Sequence, residues 1–410
     1  MDAPTVDPAR VIADLRELDR RTGGPGGARR VAWGEEWRAA RGLLAELVGE
    51  IGLAGERDAA GNVRVRLEGE SGPGLGLGSH LDSVPAGGWL DGALGVMAGL
   101  GVLRAWAESG RRPARDLVLV DWADEEGARF GHSLFGSSAF AGALDLDAAG
   151  ELRDEEGTPI AEILAANDVE FERLSEASRW RDAIGAYLEL HIEQGPVLES
   201  ESLPVAAVAG CVGIERRRFL FRGQASHAGT TPMDARRDAG LAAAETMLVV
   251  EAIARERGGV ATTGELALQP GIVTAVAGEA ELAVDLRHPD LAELGRMHDE
   301  ARRGATGVAR ARGCEVDDRP VWHIDPTPFD PDLVALATEA CREAAGTDRR
   351  LTSGALHDAA VLAGVLPAAM IFCASRAGLS HAPEEDSSEA DLELAIEAFG
   401  LCANRALEST

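Results

Sequence analysis

Residues 116–127 read DLVLVDWADEEG, and this stretch decides the class of fold. Its first six residues hold a short apolar run between two aspartates, which is typical of a strand buried on both faces of a sheet. Glu125 and Glu126 follow just after that run. Ligands of open α/β sheets bind at the carboxyl ends of the strands, so the stretch predicts a sheet of this kind and the edge at which its site lies.

Helical and strand patterns alternate on both sides of this stretch. The periodicity predicts helices over 9–20, 34–52, 92–107, 332–345 and 391–406, and strands over 62–67, 75–78, 187–191 and 368–373. We therefore expect residues 1–208 and 328–410 to form one α/β domain.

The pattern changes between these two parts, over residues 209–327. The predicted elements there are strands over 216–222 and 281–287 and helices over 238–257 and 291–312. Two strand-helix-strand units of this size predict a small α+β sandwich inserted in the larger domain.

Composition excludes several classes of function. The 410 residues include 40 basic and 69 acidic side chains, giving a net charge of −29, and every basic residue is Arg. Without Lys the chain cannot form a Schiff base or a GK[ST] phosphate loop. The acidic charge argues against nucleic acid or an anionic membrane as partner. Five scattered cysteines without CxxC pairs, no signal peptide and no membrane span predict a cytoplasmic protein.

The segment GSHLDSVPAGGWLDG, residues 78–92, offers the first candidate ligands. Residues two apart on a strand share a face, so Asp82 can hold one ring nitrogen of His80 and leave the other for a metal ion. Asp91 follows a glycine-rich turn just before a predicted helix. Taken alone, the same pattern also fits a surface loop with a capping aspartate.

Glu125 and Glu126 are the second candidate pair. Adjacent carboxylates repel, so in a pocket one of them is neutralised by a metal ion or has its proton affinity raised. The pair offers one metal ligand and one general base. A solvated acidic turn is the alternative interpretation.

Three more histidines, His191, His227 and His381, lie at or near predicted strand ends beside small residues. A single histidine is more often a hydrogen-bonded structural residue than a ligand. The joint pattern is more informative, since three imidazoles and two carboxylates suffice for two divalent ions if Asp91 bridges them. That set is His80, Asp91, Glu126, His191 and His381.

The segments that carry these residues occur in a fixed order between about residue 78 and about residue 386. They are HLDSV with DG, EEG with RFG, LHIEQGP, HAGTTPM, DLRHPD, SG-x-x-HDA and GLSH-x-PEE. In this order they resemble the amidase branch of the M20 metallopeptidase family, which contains N-carbamoyl-L-amino-acid hydrolases, β-ureidopropionases and allantoate amidohydrolases. The resemblance implies a metal-binding catalytic α/β domain with an inserted α+β sandwich that acts as lid and dimerisation domain.

The resemblance also implies roles for individual residues. His80, Asp91, Glu126, His191 and His381 would bind two divalent ions, Zn²⁺ or Mn²⁺, although Co²⁺ and Ni²⁺ also accept such ligands. Glu125 would be the general base, taking a proton from the attacking water and delivering it to the leaving nitrogen, with Asp82 supporting His80.

Substrate binding in the family implies five further positions: Gln194, His227, Arg287, Gly354 and Gly378. Arg287 would grip a carboxylate through two parallel hydrogen bonds. His227 would polarise the carbonyl of the scissile bond. In family dimers this histidine comes from the other subunit, so the resemblance implies a homodimer.

Two departures from the family pattern bear on the substrate. Family members usually carry Asn-x-Ile-Pro-Gly before the DxR strand, where this chain has Thr274 at the Asn position. Allantoate amidohydrolases carry a Gln thirteen residues before the HAGTTP histidine, where this chain has Ile214. An apolar residue there favours a substrate with a less polar side chain than allantoate.

We therefore expect a metal-dependent hydrolase of a linear amide or ureido C–N bond, acting on an N-carbamoyl amino acid to release the amino acid, ammonia and carbon dioxide. Allantoate, ureidopropionate and N-acyl amino acids are alternative substrates. A metal-free binding protein of the same fold is the alternative from another class, and the presence of all five ligands argues against it. A zincin protease would need an HExxH helix, which the sequence lacks.

Overall fold

The structure is a computed structural model that describes residues 3–409. Its strands are β1 (Gly23–Gly24), β2 (Gly27–Ala28), β3 (Gly55–Arg57), β4 (Val63–Leu67), β5 (Ser71–His80), β6 (Arg115–Trp122), β7 (Ile184–Ile192), β8 (Val205–Cys211), β9 (Gly213–Arg222), β10 (Ser226–His227), β11 (Val260–Gln269), β12 (Ala275–Val276), β13 (Glu279–His288), β14 (Glu315–Ile324), β15 (Thr327–Pro328), β16 (Arg350–Ser353) and β17 (Ala368–Cys373).

The α-helices are α1 (Pro8–Thr22), α2 (Glu35–Glu50), α3 (Ala93–Glu108), α4 (Phe135–Ala141), α5 (Leu146–Gly150), α6 (Ile160–Ala165), α7 (Val197–Glu201), α8 (Ala239–Arg257), α9 (Leu291–Ala311), α10 (Pro331–Ala345), α11 (Asp358–Leu362) and α12 (Glu389–Glu408). Short 3₁₀ segments occur at Phe171–Ala183, Met233–Ala235 and Arg376–Gly378.

The chain divides into two compact units. The larger unit takes in the chain as far as Ala209 and again from Pro328 onward, and the smaller unit is Gly210–Thr327. Each unit has a β-sheet covered by helices, so the predicted α/β class is confirmed.

The larger unit is built on a mixed sheet with strand order β15-β8-β17-β7-β5-β6-β4-β3, and β16 pairs with β8. Its four central strands, β17, β7, β5 and β6, run parallel to one another, and antiparallel strands β8 and β4 flank them. Strand β6 contains the apolar run of residues 116–121, and its side chains from Asp116 to Trp122 are all buried. Burial on both faces is what a continuous apolar run predicts for a central parallel strand.

Because these strands are parallel, their carboxyl ends meet at one edge of the sheet. His80 is the last residue of β5 and His191 lies near the end of β7. Glu125 and Glu126 follow β6 after a turn in which Asp124 has a positive φ of 57°. Topology therefore brings residues distant in sequence to one place.

The smaller unit is an α+β sandwich. Its antiparallel sheet has the order β11-β13-β9-β14, and α8 and α9 pack against it through a core that includes Phe219, Leu282 and Met297. The two strands predicted from sequence are the central ones, and β13 alternates between buried and more exposed residues. The outer strands β11 and β14 expose most of their residues.

Two further observations concern the described residues as a whole. All five cysteines are buried, and none of them forms a disulfide within the described residues. None of the helices described between residues 3 and 409 is long and apolar enough to cross a membrane.

Candidate metal centre

Two groups of possible metal ligands lie at the carboxyl edge of the larger sheet. One consists of His80, Asp91 and His191, and the other of Asp91, Glu126 and His381, with the ligand atoms of each group within 4.8 Å of one another. Asp91 belongs to both groups. The structure thus brings all five predicted ligands together and gives Asp91 the central position among them.

His80 is fixed by its immediate neighbours. It is 1% exposed, and its Nδ1 lies 3.1 Å from the main-chain oxygen of Asp82 but 3.7 Å from the Asp82 carboxylate. That carboxylate instead accepts hydrogen bonds from the backbone N–H groups of Glu125 and Glu126. The sequence predicts Asp82 as the partner of His80, and the contact is made mainly by its carbonyl, which leaves the side chain to position the Glu125–Glu126 turn.

Gly92 has a specific steric role beneath His80. Its φ is 64°, and a Cβ placed there would lie 2.4 Å from the His80 ring. Only glycine combines this left-handed backbone with such a close approach. The Asp-Gly pair therefore lets α3 begin directly under the imidazole while Asp91 projects into the site.

Asp91 makes most of the polar contacts in the centre. Its Oδ1 is 3.1 Å from His191 Nε2 and its Oδ2 is 3.3 Å from His381 Nε2. Burial alone would raise the pKa of Asp91, but the hydrogen bonds from His191 and His381 outweigh it and hold that pKa well below its usual range. Asp91 is thus an anion placed between imidazoles.

The pKa values of Glu125 and Glu126 are raised, whereas that of Asp91 is lowered. Burial, followed by the charges of Asp358 and Glu126, raises the pKa of Glu125 well above its usual range. Burial and then the charge of Asp91 raise the pKa of Glu126 to about 8. Glu125 Oε2 lies 3.6 Å from His80 Nε2, and Glu126 Oε2 lies 3.4 Å from His381 Nε2. A raised pKa makes Glu125 a strong base for proton transfer.

The three imidazoles differ in protonation. Burial lowers the pKa of His80 to about 4. Burial would also lower that of His191, but its hydrogen bond to Asp91 raises the pKa to about 9. The hydrogen bond to Asp91 likewise raises the pKa of His381 to about 9. Protons on Nε2 of His191 and His381 thus occupy the atoms to which a metal ion would bind, so the ion and the protons would compete.

These donor atoms fit divalent metal ions. Nitrogen and oxygen ligands about 2.1 Å from a tetrahedral ion lie about 3.4 Å from one another. The distances from Asp91 to His80, His191 and His381 are 3.9, 3.1 and 3.3 Å. Glu126 Oε1 is buried and has no hydrogen-bond partner among the described residues, which leaves it available as a ligand.

Gln194, predicted to bind substrate, lies against the centre. Its Nε2 donates to Asp91 Oδ2 at 3.0 Å and lies 3.2 Å from Ser380 Oγ. Its Oε1 is buried without a hydrogen-bond partner among the described residues. Gly378, another predicted residue, has a φ of 63°, and a Cβ there would lie 2.7 Å from Pro196 N beside the Gln194 turn.

Glu385 is a functional candidate that the sequence argument missed. It is 2% exposed, and its Oε1 accepts hydrogen bonds from the backbone N–H groups of Leu90 and Asp91 at 3.1 and 3.0 Å. Its Oε2 is 2.9 Å from Ser380 Oγ, next to His381. Glu385 therefore joins the segment that carries Asp91 to the segment that carries His381. The signal was present in the PEE of the last motif, four residues after the histidine.

Further buried groups support His191. Its ring lies 4.5 Å from that of His357, whose Nε2 is 2.9 Å from Ser353 Oγ. The two histidines and Glu189 form a third group of potential ligands, but Glu189 already binds Ser79 Oγ and the N–H of Ala359. We therefore interpret this group as support for His191. The predicted Gly354 follows Ser353 in the turn after β16.

The remaining predicted residues lie in the smaller unit, as two neighbouring pairs. Ile214 on β9 is the direct cross-strand partner of Arg287 on β13, and Arg287 Nε donates to Asp285 Oδ1. His227 on β10 is exposed and is the cross-strand partner of Ala275, while Thr274 O accepts the N–H of Ala228. The unit thus brings His227 close to Thr274 and Ile214 close to Arg287.

Comparison with known proteins places this arrangement in a family. The chain matches the sequence model of Peptidase family M20/M25/M40 over residues 76–405. The chain belongs to that family. An N-carbamoyl-L-amino acid amidohydrolase of Geobacillus stearothermophilus is 37% identical over 389 residues, covering 94% of each chain. An allantoate amidohydrolase of Bacillus subtilis is 32% identical, covering 91% of each.

A solved structure of a family member has the same fold. A hydantoinase/carbamoylase family amidase from Burkholderia ambifaria superposes with a TM-score of 0.89 at 35% identity, covering 100% of this chain and 99% of that one. The family membership and branch predicted from the motifs are thus confirmed.

Proposed function

We propose that the protein is a metal-dependent amidohydrolase that cleaves the ureido C–N bond of N-carbamoyl-L-amino acids. With one water molecule consumed, the products are the free amino acid, ammonia and carbon dioxide. The observation that carries the proposal is Asp91, shared by two groups of imidazole and carboxylate ligands. Relatives 35–37% identical over most of the chain are named as N-carbamoyl-L-amino acid amidohydrolases, which supports the substrate class.

The residues divide the chemical work in this proposal. His80, Asp91, Glu126, His191 and His381 would hold two divalent ions, Zn²⁺ or Mn²⁺, which supply Lewis acidity toward the carbonyl and lower the pKa of water. Glu125 takes a proton from the attacking water and transfers it to the leaving nitrogen. Its burial and raised pKa suit this exchange, because a base must both accept and release the proton.

Substrate recognition is assigned to Gln194 of the larger unit and to three residues of the smaller unit. Arg287 would bind the substrate carboxylate through two hydrogen bonds, and Gln194 Oε1 offers an acceptor for the terminal ureido NH₂. His227, exposed on β10 with its Nδ1 accepting the N–H of Gly229, would donate from Nε2 to the scissile carbonyl. Ile214, which is buried beside Arg287, favours an apolar substrate side chain over that of allantoate.

The smaller unit would serve as lid and dimerisation domain. Its edge strand β11 exposes Val260, Leu266 and Leu268, and the following loop exposes Ile272 and Val273. An exposed apolar edge strand can pair with a second copy of itself. A homodimer in which each subunit supplies His227 to the other would agree with this surface. A cytoplasmic location, expected from the scattered cysteines without CxxC pairs, is also part of the proposal.

The test measures ammonia release by metal-reconstituted protein with N-carbamoyl-L-amino acids, N-carbamoyl-β-alanine, allantoate and an N-acetyl amino acid. We expect chelator-sensitive turnover, fastest with an N-carbamoyl-L-amino acid that has an apolar side chain. Faster turnover of allantoate would overturn the substrate assignment. Absence of turnover on every compound, with metal bound, would overturn the reaction class.

Glu125→Gln supplies the matched control for this assay. The substitution keeps the shape of the side chain and removes its basicity, so we expect metal content and fold to be retained while turnover falls by about 10²–10⁴-fold. Metal content by elemental analysis and circular dichroism separate this result from unfolding. Wild-type turnover in Glu125→Gln would remove the residue from its assigned role.

A further inference from the structure

A cavity outside the metal centre lies in the larger unit between α2, β3, β4 and the turn after α6. Its volume is about 360 Å³, within the range of small-molecule sites. None of the residues that line it belongs to the metal centre. Nothing in the proposed hydrolysis accounts for it.

The floor of this cavity is apolar. Leu44 and Val48 of α2 and Val65 of β4 are almost fully buried, and they line the cavity together with Val63. Trp37 also lines it, and its buried Nε1 has no hydrogen-bond partner among the described residues. These side chains offer a surface for a hydrocarbon group of a few carbon atoms.

The rim carries the guanidinium groups of Arg38 and Arg57, and only some of their N–H groups donate hydrogen bonds within the fold. Arg38 donates from Nη1 to Asn167 Oδ1 at 2.9 Å, and Arg57 donates from Nη2 to the main-chain oxygen of Asn167 at 2.8 Å. One buried residue therefore accepts a hydrogen bond from each of the two guanidinium groups. Within residues 3–409 neither arginine has a carboxylate within ion-pair distance, so each has N–H groups available for an anion.

The balance of charge around the cavity is positive. A third arginine, Arg41, lies 3.8 Å over the Trp37 ring and pairs with Asp121 at 2.6 Å. Asp121 is not part of the lining, whose one acidic side chain is the exposed Asp168. The lining thus holds three guanidinium groups and one carboxylate, in a chain whose net charge is −29. Like charges held together by neutral Asn167 favour binding of an anion between them.

We propose that this cavity is a second binding site, for a small organic carboxylate with an apolar body. The carboxylate binds between Arg38 and Arg57, and the hydrocarbon part packs on Trp37, Leu44 and Val48. A guanidinium pair gives the planar hydrogen-bond geometry that a carboxylate accepts, and the apolar floor discriminates against acetate and inorganic anions. The site is separate from the metal centre, so its occupancy does not depend on bound metal.

Calorimetric titration of the full chain with octanoate tests the proposal, with acetate and octanamide as matched ligands. We expect octanoate to bind about tenfold more tightly than either, because acetate lacks the apolar part and the amide lacks the charge. Binding is expected to be the same in chelated and metal-reconstituted protein. Octanamide binding as tightly as octanoate would overturn the proposed role of the arginines.

Two variants test whether octanoate binds in this cavity. Gly42 lines it on α2, and a Cβ there meets no described atom within 4 Å, so Gly42→Leu fills the space without a clash at Cβ. Arg57→Met removes one exposed guanidinium. We expect each variant to weaken octanoate binding about tenfold, while Arg20→Met on α1, outside the cavity, leaves it unchanged.

The same variants separate this proposal from the hydrolase proposal. Gly42→Leu and Arg57→Met are expected to keep wild-type ureido hydrolysis and wild-type melting temperature. Unchanged octanoate affinity in both variants, or binding that disappears on chelation, would overturn the second site and leave the metal centre unaffected.

Discussion

Arg287 lies on the central strand β13 with its Nε bonded to Asp285, a partner that fixes the guanidinium while part of it remains exposed. Losing a charge-assisted pair of hydrogen bonds to a carboxylate costs about 1.5–3 kcal/mol. Arg287→Ala should therefore raise KM about 10- to 100-fold for N-carbamoyl amino acids, and much less for their carboxamides. Steady-state kinetics on both substrates provides the measurement.

The control for this prediction is Arg222→Ala on β9, which removes an exposed guanidinium paired with Asp317 in the same sheet. It should leave both KM values unchanged. Equal losses on acid and carboxamide substrates in Arg287→Ala would show that the residue does not read the carboxylate.

Protonation of individual ligands makes metal binding depend on pH. His191 and His381 have pKa values raised to about 9 and Glu126 to about 8, so all three carry protons at pH 7.5 in metal-free protein. An ion must displace these protons, and its apparent affinity should therefore rise with pH toward about 9. His80, with a pKa of about 4, is already neutral and releases none.

Calorimetry in buffers of different ionisation enthalpy measures this release. We expect more than one proton to leave per protein at pH 7.5 and fewer at pH 9.5. An affinity that does not change between these pH values would contradict the protonation states given above.

Individual residues also differ in how far the sequence predicts their roles. His80, Asp91, Glu125 and Glu126 stand in short motifs whose spacing already indicates ligation. Glu385 also lies in a motif, but its role arises from hydrogen bonds to Leu90 and Asp91, almost 300 positions away in sequence, which spacing does not reveal. Asp82 was assigned to His80, but its carboxylate binds the Glu125–Glu126 backbone through a turn that periodicity does not describe.

At the level of elements, the strand ends of the larger sheet and the loops beside them form the centre, and Glu385 joins two of these loops. Glu385→Ala removes both backbone contacts and the contact with Ser380, so we expect a 10- to 100-fold loss of metal affinity, about the cost of losing an outer partner of a ligand. Glu385→Gln should restore most of it, since the amide oxygen accepts from Leu90 and Asp91 and the NH₂ donates to Ser380. Equilibrium dialysis of the purified variants measures the affinity.

Comparing the metal affinities of the two variants shows whether Glu385 acts through its hydrogen bonds or through its negative charge. Equal losses in Glu385→Ala and Glu385→Gln would show that the negative charge is required and the hydrogen bonds are not. Unchanged affinity in Glu385→Ala would remove the residue from the metal centre altogether. Circular dichroism of both variants identifies simple unfolding.

Elements were predictable from sequence where burial imposes a strong pattern. Strand β6 is buried on both faces and β13 on one, and both were identified. Strands β11 and β14 were not, because they are exposed edges with an irregular register: β11 shifts between Thr262 and Glu265, and β14 shifts after Pro320. Edge strands need no regular apolar alternation, so periodicity gives little information about them.

At the scale of the whole molecule, the two edges of the smaller sheet suggest how copies associate. Strand β14 carries Pro320 and several charged residues, features that protect an edge from pairing, whereas β11 exposes Leu266 and Leu268. We expect a homodimer through β11 that Leu268→Glu converts to monomer. Sedimentation velocity measures the change.

Val365→Glu in the larger unit is the control, since it places the same charge on another exposed apolar residue. It should remain dimeric. If His227 serves the partner's centre, Leu268→Glu also loses turnover while keeping its metal content. A dimeric Leu268→Glu would exclude β11 as the interface.

His381 has a consequence for how quickly the centre exchanges its ions. Its side chain is about half exposed at a backbone φ of 55°, while His80, Asp91 and His191 are almost completely buried. An ion held by Asp91, Glu126 and His381 would have one half-exposed ligand, whereas an ion held by His80, Asp91 and His191 would have only buried ligands. Chelators should therefore remove the two ions in two kinetic phases, and partly loaded preparations should retain the ion that the buried ligands would hold.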